Sequence, residues 1–267
     1  MSYGFINASE FSFNTLLLMD RWLIRHISGN KDPEFRRHFG IALAGNPAVY
    51  WYAVNVCPEA EPAYRQLLAA APKKLSAEEI RANEVWVLDA IDWAVVYAYP
   101  ELTDSLPYVR DWDPARLLEL ADFKDKAVLD IGSGTGRLAL AAAPLAMYVY
   151  ASEPTVRFRE YLKDKLKRLN IQNVYVIDGT IESLPFPDGS FDIVMSGHVI
   201  GDDYEAECRE MGRVTKPGGW IVDCPGEDDR PNTEGMSSEM RDLGFSGSQY
   251  KSKNGGDVYR YRKQKPL

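Results

Sequence analysis

The chain has 267 residues and a formal net charge of −8, because 39 acidic side chains outnumber 31 basic ones. Hydrophobic residues make up 45% of the chain, which is typical of a folded globular protein and excludes a wholly disordered one. Broad, nonspecific binding to nucleic acid is disfavoured, since such binding depends on basic residues that neutralise phosphates. The length allows one large domain or two modest ones.

The cysteines and the apolar segments bear on the cellular setting. Cys57, Cys208 and Cys224 are an odd number of widely spaced residues, so they predict neither a disulfide framework nor a metal site. No apolar segment approaches the roughly 20 residues of a membrane span. The N-terminus also lacks the basic and apolar regions of a signal peptide. These features favour a cytoplasmic protein without a membrane span.

The first part of the chain has helical patterns. Apolar residues recur at helical spacing from Leu16 to Ile27. Ser76 and Glu79 form a capping-box signature, and the helix that they begin is predicted to continue to Tyr99. This helix is apolar around most of its circumference near its end, which indicates burial on several sides. Prolines and glycines delimit further helices at 33–44, 48–56 and 61–71.

We therefore expect residues 1–108 to form a helical cap or substrate domain. Its aromatic side chains could line a substrate pocket, although packing in a core is the commoner role of such residues. Tyr108–Asp113 is expected to be a linker, and Asp113 with Pro114 predicts a new helix start. The aromatic residues in question are Tyr50, Trp51, Tyr52, Trp86, Trp93, Tyr97 and Tyr99.

Strand and helix patterns alternate from Ala127 onward. This alternation predicts a Rossmann-like, doubly wound α/β sheet that is mostly parallel, with helices on both faces. The turn Asn254-Gly255-Gly256-Asp257 lies between two final strands and predicts a hairpin, so the last strand should run antiparallel. The predicted strands are 127–131, 147–151, 174–177, 191–195, 220–223, 245–250 and 258–261, and the predicted helices are 138–146, 157–169 and 204–214.

A glycine-rich turn, the glycine loop, follows the first predicted strand. Gly132, Gly134 and Gly136 allow backbone N–H groups and a helix N-terminus to approach a bound ligand. Glu153 comes at the end of the second strand, where a carboxylate can accept hydrogen bonds from both hydroxyls of a ribose. The dinucleotide fingerprint requires glycine at position 137, where this chain has Arg137. A nicotinamide-dependent dehydrogenase is therefore disfavoured.

At this point the sequence resembles the class I S-adenosylmethionine-dependent methyltransferases. Their first motif is an acidic residue followed by alternating glycines, as in DIGSGTG at Asp130–Gly136. Two further motifs follow in the family's order, ESLPFPDGSFD at Glu182–Asp192 and RVTKPGG at Arg213–Gly219. The pattern is similar to that of small-molecule methyltransferases related to ubiquinone and menaquinone biosynthesis enzymes. The resemblance covers residues 109–267, the expected cofactor-binding domain, and does not extend to residues 1–108.

The resemblance implies S-adenosyl-L-methionine as the cofactor and S-adenosyl-L-homocysteine as the product. Asp130 and the glycine loop would hold the methionine end of the cofactor, and Glu153 would bind the ribose hydroxyls. The loop residues implied in cofactor binding are Gly132, Ser133, Gly134 and Gly136.

The resemblance also implies roles for residues after the third and fourth strands. Thr180 and Ile181 would lie at the adenine edge. Many relatives have aspartate at the position of Thr180, whereas Asp178 stands two residues earlier here, so a threonine hydroxyl would replace that acceptor. Ser196 and His198 would line the methyl-transfer site.

His198 is the candidate catalytic residue. Histidine is suited to proton transfer near neutral pH, although a pocket-lining or structural ring is the alternative. Asp202 and Asp203 could orient it or could cap the next helix. Of two nearby arginines, Arg137 is expected to be a solvated helix residue. Arg110 could reach the cofactor carboxylate or lie at the surface.

The expected function is methyl transfer to a small-molecule acceptor by in-line displacement. The sulfonium activates the methyl group, so the enzyme mainly positions the reactants and needs a base only for an acceptor that loses a proton. Residues 1–108 would cover the carboxyl edge of the sheet and shape the acceptor pocket. A protein or RNA methyltransferase is an alternative, with RNA disfavoured by the acidic charge. A non-catalytic nucleoside-binding protein is another. The sequence predicts no oligomeric state.

Overall fold

The computed structural model describes residues 3–226, 235–253 and 255–267. The chain separates into two compact units, Met1–Thr103 and Asp104–Leu267. The predicted boundary after residue 108 falls inside the second unit, and the roles assigned to the two predicted domains stay predictions. Asn254, in the predicted hairpin turn, lies outside the described residues.

The first unit is helical and encloses its own apolar core. Ser76 caps its longest helix as predicted, since its Oγ accepts from the Glu79 N–H at 3.1 Å and its N–H donates to Glu79 Oε2 at 2.7 Å. The helices are α1 (Arg21–Ser28), α2 (Pro33–Gly45), α3 (Pro47–Val56), α4 (Glu61–Ala70), α5 (Ala77–Ala90) and α6 (Asp92–Ala98), with 3₁₀ segments at Ala8–Glu10, Phe13–Leu18 and Pro58–Ala60. A further helix, α7 (Pro100–Ser105), includes the boundary between the two units.

The helix predicted from Leu16 to Ile27 is wrong, because the structure has two elements there. Phe13–Leu18 is a 3₁₀ helix, and α1 begins only after Asp20, whose backbone is extended. The period of three residues in a 3₁₀ helix places Phe13 and Leu16 on one side, and both are buried. The apolar residues up to Leu18 therefore belong to a 3₁₀ helix, and only those after Asp20 belong to an α-helix.

The long helix predicted to run to Tyr99 is interrupted at Ile91, between α5 and α6. The interruption lies beside Asp92, whose buried carboxylate accepts hydrogen bonds from the backbone N–H groups of Tyr3 at 2.7 Å and Phe5 at 3.2 Å. Asp92 also accepts from the N–H of Trp93. The break therefore coincides with a contact that fixes the start of the chain.

Most of the aromatic residues that the sequence singled out in the first unit are partly buried and pack against its core. Tyr52 donates to the Met19 carbonyl at 2.7 Å, and Trp86 stacks on His38 with ring centroids 4.0 Å apart. Trp51 differs, since 64% of it is exposed. All the others that the sequence singled out pack against the core cluster.

The second unit has the predicted doubly wound sheet. Its strand order is β3-β2-β1-β4-β5-β7-β6, with β1 to β5 parallel and β7 antiparallel to both β5 and β6. The strands are β1 (Ala127–Ile131), β2 (Tyr148–Ser152), β3 (Val174–Ile177), β4 (Phe191–Ser196), β5 (Thr215–Asp223), β6 (Ser246–Lys251) and β7 (Asp257–Gln264), and the helices are α8 (Pro107–Arg110), α9 (Ala115–Leu118), α10 (Arg137–Ala142), α11 (Val156–Arg168), α12 (Tyr204–Val214) and α13 (Ser238–Asp242).

Strand β5 begins earlier than its apolar pattern predicts. Thr215 pairs with Phe191 and Trp220 pairs with Ile193, so the register shifts between the two pairs. Pro217–Gly219, which precede the predicted strand start at residue 220, are therefore an irregularity within β5. The sheet order changes direction between β1 and β4, and ligands of open α/β sheets bind at the carboxyl ends of the strands near such a point.

The helices of the structure bear on the prediction that the chain has no membrane span. Within residues 3–226, 235–253 and 255–267, no helix combines the length and apolar character needed to cross a membrane.

Replacing Ser76 with alanine removes one partner of the capping box, and we expect the first unit to lose about 1 kcal/mol of unfolding free energy. Urea unfolding followed by tryptophan fluorescence reports mainly on this unit, which contains Trp22, Trp51, Trp86 and Trp93. Lys74→Ala, an exposed change just before the helix, is the control and should be neutral. Equal stability of the two variants would show that the cap contributes nothing.

Candidate functional site

Buried polar side chains collect at the carboxyl ends of neighbouring strands in the second unit. Asp130 is near the end of β1, Glu153 follows β2, and Ser196 and Asp223 end β4 and β5. All four are less than a tenth exposed. Because polar groups are seldom buried without a partner, this edge of the sheet is the candidate site.

The glycine loop lies between β1 and α10 in a conformation that requires glycine. Gly132, Gly134 and Gly136 all have positive φ, with Gly136 at +95°. A Cβ at Gly136 would lie 2.5 Å from a methyl carbon of Leu162, and one at Gly132 would collide with the side chain of Val199. The glycines therefore allow the backbone to approach its neighbours closely at these two points.

Glu153 fixes the glycine loop from the neighbouring strand. Its Oε2 accepts from the Gly134 N–H at 2.9 Å, and its Oε1 accepts from the Thr155 N–H at 2.8 Å. Burial raises the pKa of Glu153 above its usual range, although these hydrogen bonds oppose the rise. Each carboxylate oxygen can accept a second hydrogen bond, so Glu153 can both brace the loop and bind hydroxyl donors.

Lys165, on helix α11, supports the loop together with Asp104, on α7. Lys165 donates to Asp104 Oδ1 at 2.6 Å and to the Thr135 carbonyl, inside the loop, at 3.3 Å. Tyr161 donates to the second oxygen of Asp104 at 2.8 Å. Burial acts to raise the pKa of Asp104, but the bonds from Lys165 and Tyr161 outweigh it and the pKa is lowered. Asp104 is therefore an anionic anchor for this side of the loop.

Asp130 has one engaged oxygen and one free oxygen. Oδ2 accepts from the Ala139 N–H at 2.9 Å, whereas Oδ1 is buried with no hydrogen-bond partner among the described residues. Burial raises the pKa of Asp130 to about 8, an effect that nearby Glu153 reinforces and that Arg137 and the Ala139 N–H oppose. Oδ1 is therefore available to a cationic hydrogen-bond donor.

Other buried polar atoms near the loop also lack partners. Within the described part of the chain, Ser133 Oγ, Ser152 Oγ and Arg137 Nη1 make no hydrogen bond. A buried polar atom left unpaired costs roughly 1–3 kcal/mol. Several such atoms around one glycine loop indicate a site built for a polar ligand that carries both donors and acceptors.

Ser196 and Asp223 face each other across β4 and β5. They are register partners, and Ser196 Oγ donates to Asp223 Oδ1 at 2.8 Å. Burial raises the pKa of Asp223 to about 6, against the effects of the Ser196 hydroxyl and Arg137. Sequence reasoning did not select Asp223. Its position as the last residue of a buried strand, level with Ser196, was the available signal.

His198 connects the loops that follow β4 and β5. It has a left-handed backbone, with φ of 65°, and its ring is exposed. Its Nε2 accepts from the Gly226 N–H at 2.9 Å, and its ring packs edge-on against Tyr108. This bond fits a neutral ring with the proton on Nδ1. Asp203 caps α12 by accepting from the Ala206 N–H, which is one of its two anticipated roles.

Thr180 and Ile181 follow β3, but their side chains have different surroundings. Thr180 is exposed and forms an isolated β-bridge with Ser183. Ile181 is buried in the apolar cluster on this face of the sheet. Asp178 is exposed and pairs with Arg159 at 2.9 Å. Of these residues, Thr180 keeps its hydroxyl at the surface, and a contact of either Thr180 or Ile181 with a ligand stays a prediction.

The two arginines differ in their surroundings. Arg110 is exposed and bonds to Asp111 at 2.8 Å. The prediction that Arg137 is solvated is wrong, because its Nη1 is buried and its guanidinium lies over the Trp112 ring, 4.6 Å from the centroid. Its Nη2 donates to the Cys224 carbonyl at 3.0 Å. Arg137 begins α10 but lies across the ends of the strands.

Comparisons with known proteins match this part of the chain. The profile of the family described as a methyltransferase domain matches residues 129–223. An uncharacterised methyltransferase, YcgJ of Bacillus subtilis, is 39% identical over 120 residues, which are 43% of this chain and 47% of the relative. The demethylmenaquinone methyltransferase of Geobacillus kaustophilus is 38% identical over 104 residues, 37% of this chain and 44% of the relative. The chain thus spans less than half the length of either curated relative.

Solved structures agree on the fold. A SAM-dependent methyltransferase from Aquifex aeolicus superposes with a TM-score of 0.52 at 18% identity, over 63% of this chain and 97% of that one. A second structure, described as a putative S-adenosyl-L-methionine-dependent methyltransferase from Methanococcus maripaludis, superposes with a TM-score of 0.52 at 15% identity. The superposition covers 64% of this chain and 94% of that one. At these identities the likeness concerns the fold alone. Residues 129–223 thus match the methyltransferase-domain family in sequence, and the solved structures share the fold of this part of the chain.

Proposed function

We propose that this chain transfers a methyl group from S-adenosyl-L-methionine to a small-molecule acceptor by in-line displacement. The observation that supports it best is the set of unpartnered buried polar atoms around the glycine loop, within the residues that match the methyltransferase-domain family. When bound, the cofactor would supply a methyl group already activated by a sulfonium. The task of the protein is then mainly to position the two reactants.

The residues present fit this cofactor. Asp130 Oδ1 is a buried acceptor suited to the ammonium of the methionine end, and Glu153 is a carboxylate with remaining capacity for the ribose hydroxyls. The glycine loop would let its backbone lie against the cofactor. Ser133 Oγ and Ser152 Oγ add hydroxyls that can donate or accept. Contacts at the adenine edge through Thr180 and Ile181, and at the transfer site through Ser196, belong to the same proposal.

A small-molecule acceptor is favoured over a macromolecule. The relatives named demethylmenaquinone methyltransferase carry a small molecule in their name, and the net charge of −8 disfavours a nucleic-acid acceptor. The selection of the acceptor by residues 1–108, which lie outside the matched range, stays a prediction, as does the cytoplasmic setting. Binding of S-adenosyl-L-homocysteine and transfer of a labelled methyl group to a panel of phenols, quinols and amines together test the proposal.

Glu153→Ala should weaken the binding of S-adenosyl-L-homocysteine 10- to 100-fold. The reason is the loss of a charge-assisted hydrogen-bond acceptor, which is worth roughly 1.5–3 kcal/mol. Isothermal titration calorimetry measures the change, and Glu160→Ala, an exposed acid on α11, is the control. Unchanged affinity would exclude Glu153 from the ribose site. If Glu153→Ala weakens binding of the 2′-deoxy analogue of S-adenosyl-L-homocysteine by the same factor, the substitution acts only by disturbing the glycine loop.

Asp130 should release a proton when the ligand binds. Its pKa of about 8 in the ligand-free protein falls once an ammonium reaches Oδ1, so affinity for S-adenosyl-L-homocysteine should rise with pH between about 6 and 8. Calorimetry in phosphate and in Tris detects the proton by the difference in buffer ionisation enthalpy. Asp130→Asn should abolish this difference, whereas Asp178→Asn, at an exposed site, should keep it. A wild-type protein that releases no proton would contradict the assignment.

The same pKa has a consequence for stability. The folded carboxyl of Asp130 holds its proton up to about pH 8, whereas an unfolded one loses it near 3.8. Its contribution to the unfolding free energy of the ligand-free protein is therefore present at low pH and is lost as the pH rises through that range. Asp130→Asn should flatten this decline in chemical denaturation between pH 5 and 9, and an unaltered slope would contradict the raised pKa.

His198 is proposed as the base for an acceptor that must lose a proton, a role that requires Nε2 to release the Gly226 N–H. Its alternative role is to hold the β4 and β5 loops together. His198→Asn tolerates the left-handed backbone and should leave ligand binding within a factor of about 2. As a base, its loss should lower turnover by about 100-fold or more and remove the acidic limb of the pH profile. His26→Asn, at another exposed histidine, is the control. Full turnover by the His198 variant would end the catalytic assignment.

A further inference from the structure

The guanidinium of Arg137 is held in place on one side and left without a partner on the other. Its plane lies over Trp112, and its Nη2 donates to the Cys224 carbonyl at 3.0 Å. Its Nη1 is buried and makes no hydrogen bond to any described residue. The group is therefore fixed by two contacts, and one of its donor nitrogens remains available.

The Arg137 guanidinium lies at the carboxyl ends of the strands, where the candidate site is. Cys224 follows β5, and Gly197 follows β4 directly. A Cβ at Gly197 would lie 2.6 Å from Arg137 Nη2, so the glycine makes room for the guanidinium. Arg137 thus reaches the ends of two strands from the helix that begins at the glycine loop.

Among the residues that the structure describes, no anionic side chain hydrogen-bonds to Arg137. Asp130 and Asp223 are close enough to act on it electrostatically, but neither bonds to it among the described contacts. Burial lowers the pKa of Arg137, while the nearby acidic groups oppose that effect. Removing a cation from water is costly unless a hydrogen-bonding anion accompanies it. An anionic ligand group at Nη1 would remove that cost.

We propose that Arg137 binds the carboxylate of the cofactor's amino-acid end and is thereby a specificity-determining residue. This inference rests on the proposed function. An amino acid carries its ammonium and its carboxylate on the same carbon. Asp130 Oδ1 is a buried acceptor and Arg137 Nη1 a buried cationic donor, and neither has a hydrogen-bond partner among the described residues. Arginine is the side chain best suited to carboxylates, because its N–H groups form a rigid fork. Arg137 then selects ligands that retain the carboxylate over those that lack it.

The test compares two ligands that differ by the carboxylate alone. S-adenosyl-L-homocysteine has it, and its decarboxylated analogue, S-adenosyl-3-thiopropylamine, lacks it while keeping the ammonium. We expect the wild-type protein to prefer the first by about 10-fold or more in calorimetry. Arg137→Met should lose most of that preference by weakening the first ligand 10- to 100-fold and leaving the second within about 3-fold.

The controls separate this inference from the proposed function. Arg110→Met, at an exposed arginine, should leave both affinities unchanged. Circular dichroism melting shows whether Arg137→Met is folded. If it is not, Arg137→Lys is measured instead, and we expect an intermediate preference because lysine keeps the charge without the fork. A wild-type protein without preference, or equal weakening of both ligands in a folded Arg137 variant, overturns the role of Arg137. A wild-type protein that binds neither ligand overturns the proposed function instead.

Discussion

A buried carboxylate with an uncommitted oxygen is the constraint on which the site in the second unit depends. Asp130 comes near the end of a fully buried strand, where solvation is lost and only one of its oxygens receives a backbone hydrogen bond. A protein keeps such a group only when another interaction offsets the loss of water. The glycine loop, Glu153 and Arg137 are all arranged around this point. In the proposed function, this arrangement gives the unpartnered buried groups of Asp130 and Arg137 their partners on the ligand.

The loop itself is held from two sides by groups that a ligand need not displace. Glu153 receives the Gly134 N–H from the neighbouring strand, and Lys165 reaches the Thr135 carbonyl from α11. The glycines have positive φ angles. The side chains of Val199 and Leu162 also leave no room for a Cβ at Gly132 and Gly136. A preorganised loop of this kind lowers the entropy that binding must overcome. In the proposed function, the same residues contribute both to folding of the unit and to recognition of the cofactor.

Local patterns in the sequence were sufficient for the sheet and the glycine loop. The apolar run at β1, the glycines that follow it and Glu153 after β2 each signal their role within a few residues. The capping box at Ser76 is local in the same sense. Long-range contacts were beyond such patterns. The Arg137 guanidinium donates to a carbonyl 87 residues away. Asp92, which follows the helix break, accepts from a backbone N–H 89 residues away. The Ser196–Asp223 pair likewise depends on the register of two strands.

The most direct measurement is a crystal structure of the protein with S-adenosyl-L-homocysteine bound. The ammonium of the ligand should lie about 3 Å from Asp130 Oδ1 and the ribose hydroxyls about 3 Å from the Glu153 carboxylate, as hydrogen bonds require. The ligand carboxylate should lie at the same distance from Arg137 Nη1. A ligand bound away from the glycine loop, or a complex in which Asp130 Oδ1 still has no partner, would contradict a site built around that carboxylate.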